Sequence, residues 1–327
     1  MGSNSPSGAI VNELATAIRG GSVRAVSRGL SWIEAGGDRA EALVEALYPD
    51  MRSSHVVGIT GAAGAGKSTL VAALAKVARE RGITVGVLAV DPSSPFTGGA
   101  ILGDRVRMHE LFDDPGVFIR SLATRGALGG LCKAAAGGID LLRAAGYQMV
   151  LVETVGVGQD EVDVMRVAHT TVVMSAPGLG DDVQTLKAGL FEIADIHVVN
   201  KADRDGAGDT AAQISAMLAL GMIHETVWQP PVISTVALRG EGVAELLDAM
   251  AEHMAHLRSS GELRPRERRM AESRVLKLAQ GMVADTLHRP EATNGSAFDA
   301  DLDRVARREL SPYGCARALL GRATAGK

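Results

Sequence analysis

From His55 onward the apolar residues fall into short, nearly unbroken runs: VVGIT, TVGVLAV, VFIRSL, MVLVET, TVVMSA, IHVVN and PVISTVA. A strand with one wet face shows a polar residue at every second position, so continuous runs mark strands buried on both faces. Between them lie helix-length stretches such as STLVAALAKVARERG and DVQTLKAGLFEIA. This alternation predicts an α/β domain over residues 55–258, a mostly parallel sheet covered by helices on both faces. Upstream, Ile10, Leu14, Ala17 and Ile18, then Leu43, Val44 and Leu47, recur at helical spacing and predict a helical extension over residues 9–54. Residues 1–8 carry no such period and read as a disordered N-terminus. After the polar HLRSSGELRPRER, helical patterning returns over 267–288 and 299–320, interrupted by HRPEATNGS. Residues 259–327 thus form a C-terminal helical arm, too small for a core of its own.

Composition narrows the class. A chain of 327 residues with 46% hydrophobic residues and a net charge of -4 has room for one large domain plus accessory segments. That charge argues against nucleic acid and against an anionic membrane surface, and RPRERR reads as a solvated linker. Cys132 and Cys315 stand far apart without a CxxC partner, which argues against a disulfide framework or a metal cage. With no leader-like N-terminus and no long apolar run, the expected location is the cytoplasm.

The chemistry starts at GAAGAGKS, Gly61–Ser68, which fits GxxxxGK followed by Ser or Thr and lies between a predicted strand and a predicted helix. Here the glycines let the backbone wrap an anion, so successive N–H groups and a helix N-terminus face phosphate oxygens. The phosphate cradle comprises Gly61, Ala62, Ala63, Gly64, Ala65, Gly66, Lys67, Ser68 and Thr69. Lys67 is placed to reach the β- and γ-phosphates, Ser68 to offer Mg²⁺ a hydroxyl, and Thr69 to bond the α-phosphate. Asp91 and Glu153 each close a strand, at the carboxyl ends where parallel sheets bind ligands. Together with Asp104 they are the candidate Mg²⁺ ligands beside Ser68, directly or through water. For Asp104 the alternative is a surface aspartate near Arg105 and Arg107.

Asn200, Lys201 and Asp203 form an NKxD pattern directly after a predicted strand. An aspartate there accepts from guanine's ring N–H and exocyclic amino group, and adenine offers neither donor. At roughly 1.5–3 kcal/mol per charge-assisted bond, losing two disfavours ATP by about a hundredfold or more, which selects GTP and GDP. In the last strand's loop, Val236, Ala237 and Leu238 stand where a backbone N–H would meet the guanine oxygen.

With these residues in order, the chain resembles the MeaB/ArgK family of P-loop GTPases, bacterial relatives of the methylmalonic-aciduria type A protein. The resemblance rests on GAAGAGKST, AVDPSSPFTGGAILGDRVRM, IRSLATRGALGG, VETVGVGQDEVDV, PGLGDDVQTLKAGLFEIADIHVVNKADR and, more weakly, LSPYGCARALL. It implies a P-loop NTPase fold, a homodimer built on the C-terminal arm, and a GTPase chaperone that gates cofactor loading of an adenosylcobalamin-dependent acyl-CoA mutase and protects it. Methylmalonyl-CoA mutase is the typical client. The SPFTGGAILGDR and ATRGALGG variants look closer to the branch serving isobutyryl- and 2-hydroxyisobutyryl-CoA mutases. The resemblance also implies that Lys187, in GDDVQTLK, joins the active site when the mutase is bound. From the residues alone Asp181 and Asp182 are good helix-start residues and Lys187 a solvated helix lysine. Relatives commonly carry proline at the position of Ala63, so the loop here is expected to be less rigid.

Gly156 is expected to give its N–H to the γ-phosphate, and Val157 follows where Ras-like proteins place a water-orienting glutamine. Valine cannot hold water by hydrogen bonding, so slow hydrolysis is expected in isolation, with Gln159 and Lys187 recruited when a partner binds. Two rivals stay open. A small-molecule or protein kinase would label an acceptor. A nickel-type metallocentre-assembly GTPase would cluster Cys and His, whereas Cys132, His109, His169 and His197 are scattered and read as core or surface residues.

Overall fold

The seven apolar runs are seven strands: β1 (His55–Gly61), β2 (Val85–Asp91), β3 (Val117–Ala123), β4 (Met149–Thr154), β5 (Thr170–Ser175), β6 (Ile196–Asn200) and β7 (Val232–Thr235). The computed structural model describes residues 6–91, 111, 113–123, 130–154, 166–178, 191–221, 228–287 and 296–325. The strands lie in the order β3-β2-β4-β1-β5-β6-β7 and every pairing is parallel. Consecutive β4 and β5 sit on either side of β1, so chain direction diverges around it and opens a crevice at its carboxyl end.

Both faces of the sheet are covered, which is why β4, β5 and β6 are buried at every position. On one face, α1 (Pro6–Arg19), α2 (Val23–Ala35), α3 (Asp38–Leu47) and α5 (Gly130–Ala145) share a core in which Ile18, Leu30, Leu43, Leu47, Leu88 and Leu142 are fully buried. On the other, α4 (Lys67–Glu80) and α7 (Val243–Ser259) pack through Leu70, Leu74 and Met250 against Ile59 and Leu151. Each such side chain contributes about 1.5–3 kcal/mol of hydrophobic stabilisation. The N-terminal helices therefore complete one face of the sheet. Helix α1 already begins at Pro6, inside the segment expected to be unstructured. The remaining edge is packed by α6 (Ala207–Gly221) through Ile214 onto Val199.

At the amino ends of the strands lies a buried polar chain. His55 Nε2 meets Thr170 Oγ1 at 2.7 Å, Thr170 Oγ1 meets His253 Nδ1 at 2.8 Å, and His253 Nε2 meets Asp195 Oδ1 at 3.3 Å. Arg266, on α8 (Leu263–Leu287), grips both Asp195 oxygens at 3.0 and 2.5 Å. Burial acts to raise the Asp195 carboxyl, but the hydrogen bond with His253 and the charge of Arg266 outweigh it and leave it below the usual range. Burial first, then the neighbouring positive charges, holds His55 down to about 3 and His169 to about 4.

Residues up to Ala271 form one compact unit and Glu272–Lys327 a second, so the division falls inside α8. The contacts of Arg266 explain why the helix's start belongs with the sheet. The second unit holds α9 (Ser296–Ala306) and α10 (Pro312–Ala325). A single helix was expected over 299–320; the chain instead breaks at Arg308, whose φ is 63°, and restarts at Pro312. Proline has no N–H to give an ongoing helix but suits a first turn, and Ser311 Oγ caps that turn by accepting Gly314 N–H at 3.1 Å.

Candidate nucleotide site

The phosphate loop leaves β1 at its carboxyl end and enters α4 at Lys67. Two glycines make its shape possible. Gly61 has φ 139° and Gly66 φ 96°; a Cβ would stand 2.0 Å from the Met174 carbonyl oxygen at the first and 2.5 Å from Asn200 Nδ2 at the second. Three side chains hold the loop's carbonyls. Lys67 Nζ donates to Gly61 O at 2.8 Å and Ala62 O at 3.0 Å, Asn200 Nδ2 to Ala65 O at 2.8 Å, and Lys201 Nζ to Gly64 O at 2.7 Å. Helix α4 starts at Lys67, so the N–H groups of its first turn and the positive end of its dipole lie at the loop, an arrangement suited to an anion.

Beside that helix start, Ser68 Oγ donates to Glu153 Oε1 at 2.6 Å, and both residues are buried. A buried hydroxyl and carboxylate supply the hard oxygen donors that Mg²⁺ takes, so the residues fit the ion. Asp91 ends β2, which runs beside β4 in a register pairing Ala89 with Glu153 and Val90 with Thr154. The backbone thus brings Asp91 to the same sheet edge. Asp104, Gly156, Val157, Gln159 and Lys187 lie outside the described residues, as does His109.

At the other end, Asn200 joins the loop after β1 to the loop after β7. Its Oδ1 accepts Thr235 Oγ1–H at 3.0 Å and Ala237 N–H at 3.1 Å, while its amide holds the phosphate loop. Lys201 has φ 58°, which turns its side chain back over the loop it contacts. The exposed Asp203 follows, in contact with Arg239 at 3.3 Å. Val236 and Ala237 are buried and Leu238 exposed at the rim. The phosphate cradle, Ser68 with Glu153, and the NKxD loop with β7's loop are therefore one contiguous constellation.

The sequence model described as methylmalonyl-CoA mutase-associated GTPase MeaB matches residues 26–292. The chain belongs to the MeaB family. It is similar to a GTPase of Pyrococcus horikoshii, 47% identical over 95% of this chain and 97% of that one. It is also similar to the mouse methylmalonic aciduria type A homolog, 41% identical over 63% of this chain and 51% of that one. Among solved structures it resembles one described as an LAO/AO transport system kinase, with TM-score 0.71 and 26% identity over 95% of this chain and 96% of that one. The P-loop GTPase fold and guanine-nucleotide chemistry of this MeaB-family protein follow from these likenesses.

Sequence reading missed two supports. Thr154 Oγ1 donates to Thr60 Oγ1 at 2.9 Å, both buried, tying the residue after Glu153 to the root of the phosphate loop. Thr235 fixes Asn200. Each threonine adjoins a motif, the only sequence signal available; their pairing needed the sheet register. Ala63 is exposed at the loop's tip. His169 and His197 are buried, and His169 Nδ1 accepts Val56 N–H at 3.0 Å.

Proposed function

We propose that this chain is a GTP-hydrolysing chaperone that gates cofactor loading of an adenosylcobalamin-dependent acyl-CoA mutase and protects it, acting as a homodimer in the cytoplasm. The observation carrying the GTP reading is Asn200, which binds the phosphate loop and the β7 loop at once and so holds phosphate and base sites at a fixed spacing. The client reading is supported by the description of the matching family and by the name of the mouse relative. No helix among the described residues is long and apolar enough to cross a membrane.

In this reading Lys67 exchanges its loop carbonyls for the β- and γ-phosphate oxygens, and the α4 amides hold the phosphate chain in line. Ser68 and Glu153, with Asp91 and Asp104, would hold Mg²⁺ directly or through water, and the bound ion would supply charge neutralisation to the phosphates. Gly156 gives its N–H to the γ-phosphate, and because Val157 cannot orient water, the mutase brings Gln159 or Lys187 into place. Losing the γ-phosphate releases the loops around 91–108, 154–166 and 177–188, and the output is a signal to the partner. The test is GTP turnover alone and with methylmalonyl-, isobutyryl- or 2-hydroxyisobutyryl-CoA mutase. One mutase should accelerate it by at least about tenfold, and by up to about 10³–10⁵-fold if it completes the site as fully as a supplied catalytic group can. Equal rates with every mutase overturn the client reading. The description of the solved neighbour raises the kinase alternative, which requires transfer of labelled phosphate to an acceptor rather than to water.

A further inference from the structure

The loop after β7 holds a guanidinium against the base-recognition carboxylate. Arg239 donates Nε–H to Glu241 Oε1 at 2.6 Å and Nη2–H to Glu241 Oε2 at 3.4 Å. The remaining arm, Nη1, reaches Asp203 Oδ2 at 3.3 Å. The backbone beneath it is closed on itself. Val236 and Glu241 form an antiparallel bridge with Val236 N–H on Glu241 O at 3.0 Å, and Arg239 N–H bonds Val236 O at 2.9 Å. Asn200 Oδ1 fastens this ring through Ala237 N–H. Arg239 therefore springs from a fixed platform, and a planar fork with one edge on Glu241 aims its third donor in a set direction.

We propose that Arg239, braced by Glu241, is a positioning residue for the base: it fixes the carboxylate plane of Asp203 so that both oxygens meet guanine's ring N–H and exocyclic amino group together. The proposal rests on reading this as a guanine site. Each carboxylate oxygen has two lone pairs, so Oδ2 accepts Arg239 on one and a base N–H on the other. The terminal torsion of an aspartate is broad, and an exposed Asp203 without a brace turns freely. A base making two bonds at once needs that plane fixed; a base making one does not. Arg239 thus acts on discrimination more than on overall affinity. An exposed arginine in two ion pairs is often worth nothing measurable. The distinguishing feature here is that one of its two carboxylates is the base-recognition group.

The test uses the full-length protein and its Kd for GDP, for inosine diphosphate, which lacks the exocyclic amino group, and for ADP. Arg239→Ala should weaken GDP about two- to fivefold and inosine diphosphate by less than about 1.5-fold, the range of an exposed ion pair. The GDP preference over inosine diphosphate then falls, and the loss shrinks in about 0.5 M salt. Glu241→Gln, which leaves Arg239 in place but loosens its brace, should move the same ratio the same way by a smaller factor. A ratio unchanged in both variants, or one that rises because Arg239 had been competing with the amino group, overturns the proposal and leaves the guanine reading standing. Wild-type protein that binds ADP as tightly as GDP overturns the guanine reading itself.

Discussion

Lys67 holds two loop carbonyls with its ammonium, at 2.8 and 3.0 Å, which in the proposed reading stations the cation where phosphates arrive. Lys67→Ala removes the motif's own ammonium from the cradle, and phosphate release from GTP should fall by at least about 100-fold, the scale for losing one transition-state donor. Gly66 makes a sharper geometric test. Alanine there must adopt a φ of 96° and pushes a methyl group to within 2.5 Å of Asn200 Nδ2. Gly66→Ala should cost about 1–3 kcal/mol of stability, read by urea melts, and weaken GDP binding by about tenfold or more as Asn200 lets go of Ala65. The motif residues were legible as types and spacing. The partners Thr60, Thr154, Thr235 and Arg239 were not, because each contact joins segments that sequence order leaves far apart.

Strands and helices followed from periodicity wherever burial is complete, as in β4 and β5, since two covered faces leave an unbroken apolar run in the middle of each strand and confine its polar residues to the ends. The helical stretch expected over 299–320 is divided between α9 and α10 by the backbone, where Pro312 and the cap from Ser311 start a new helix. Elements also set the response to acid. His55, His169 and His197 stay neutral in the fold at about 3, 4 and 4, each depressed first by burial, against 6.5 when exposed. As pH falls below 6.5 the unfolded chain gains protons that the folded chain refuses, so stability present at neutral pH is lost on the way down to about 4. By about pH 5 the loss is roughly 2 kcal/mol per histidine. Neither ring nitrogen of His197 has a hydrogen-bond partner among the described residues. His197→Leu should therefore lessen the drop in urea-melt stability between pH 7 and 5 by about 2 kcal/mol. Arg266→Ala leaves Asp195 buried without its bidentate partner and should cost about 3 kcal/mol in the same melts.

At the scale of the whole molecule, the second unit exposes Val275, Leu276, Met282 and Val283 along α8, with Leu302, Tyr313 and Leu320 on the two following helices. The spacing of the first four puts them on one side of α8, the pattern of a helix that seats against another surface. The proposed homodimer gives that stripe a use. Leu276→Glu should shift the mass measured by light scattering from dimer toward monomer while GDP binding in the first unit persists; an unchanged mass removes this stripe from the interface.

What the sequence determined by itself is whatever depends on neighbours along the chain: the strand-helix alternation, the glycine loop opening a helix, the order of Lys67, Glu153 and NKxD, and through these the family. What only the tertiary structure decided is which distant groups meet. Ser68 reaches Glu153, Asn200 links two loops, and Arg239 meets Asp203 because β1 is inserted between β4 and β5 and β7 closes beside β6. The physical reason is that strand order and register set these distances, and they are fixed by packing both faces of the sheet, which no local stretch of sequence encodes.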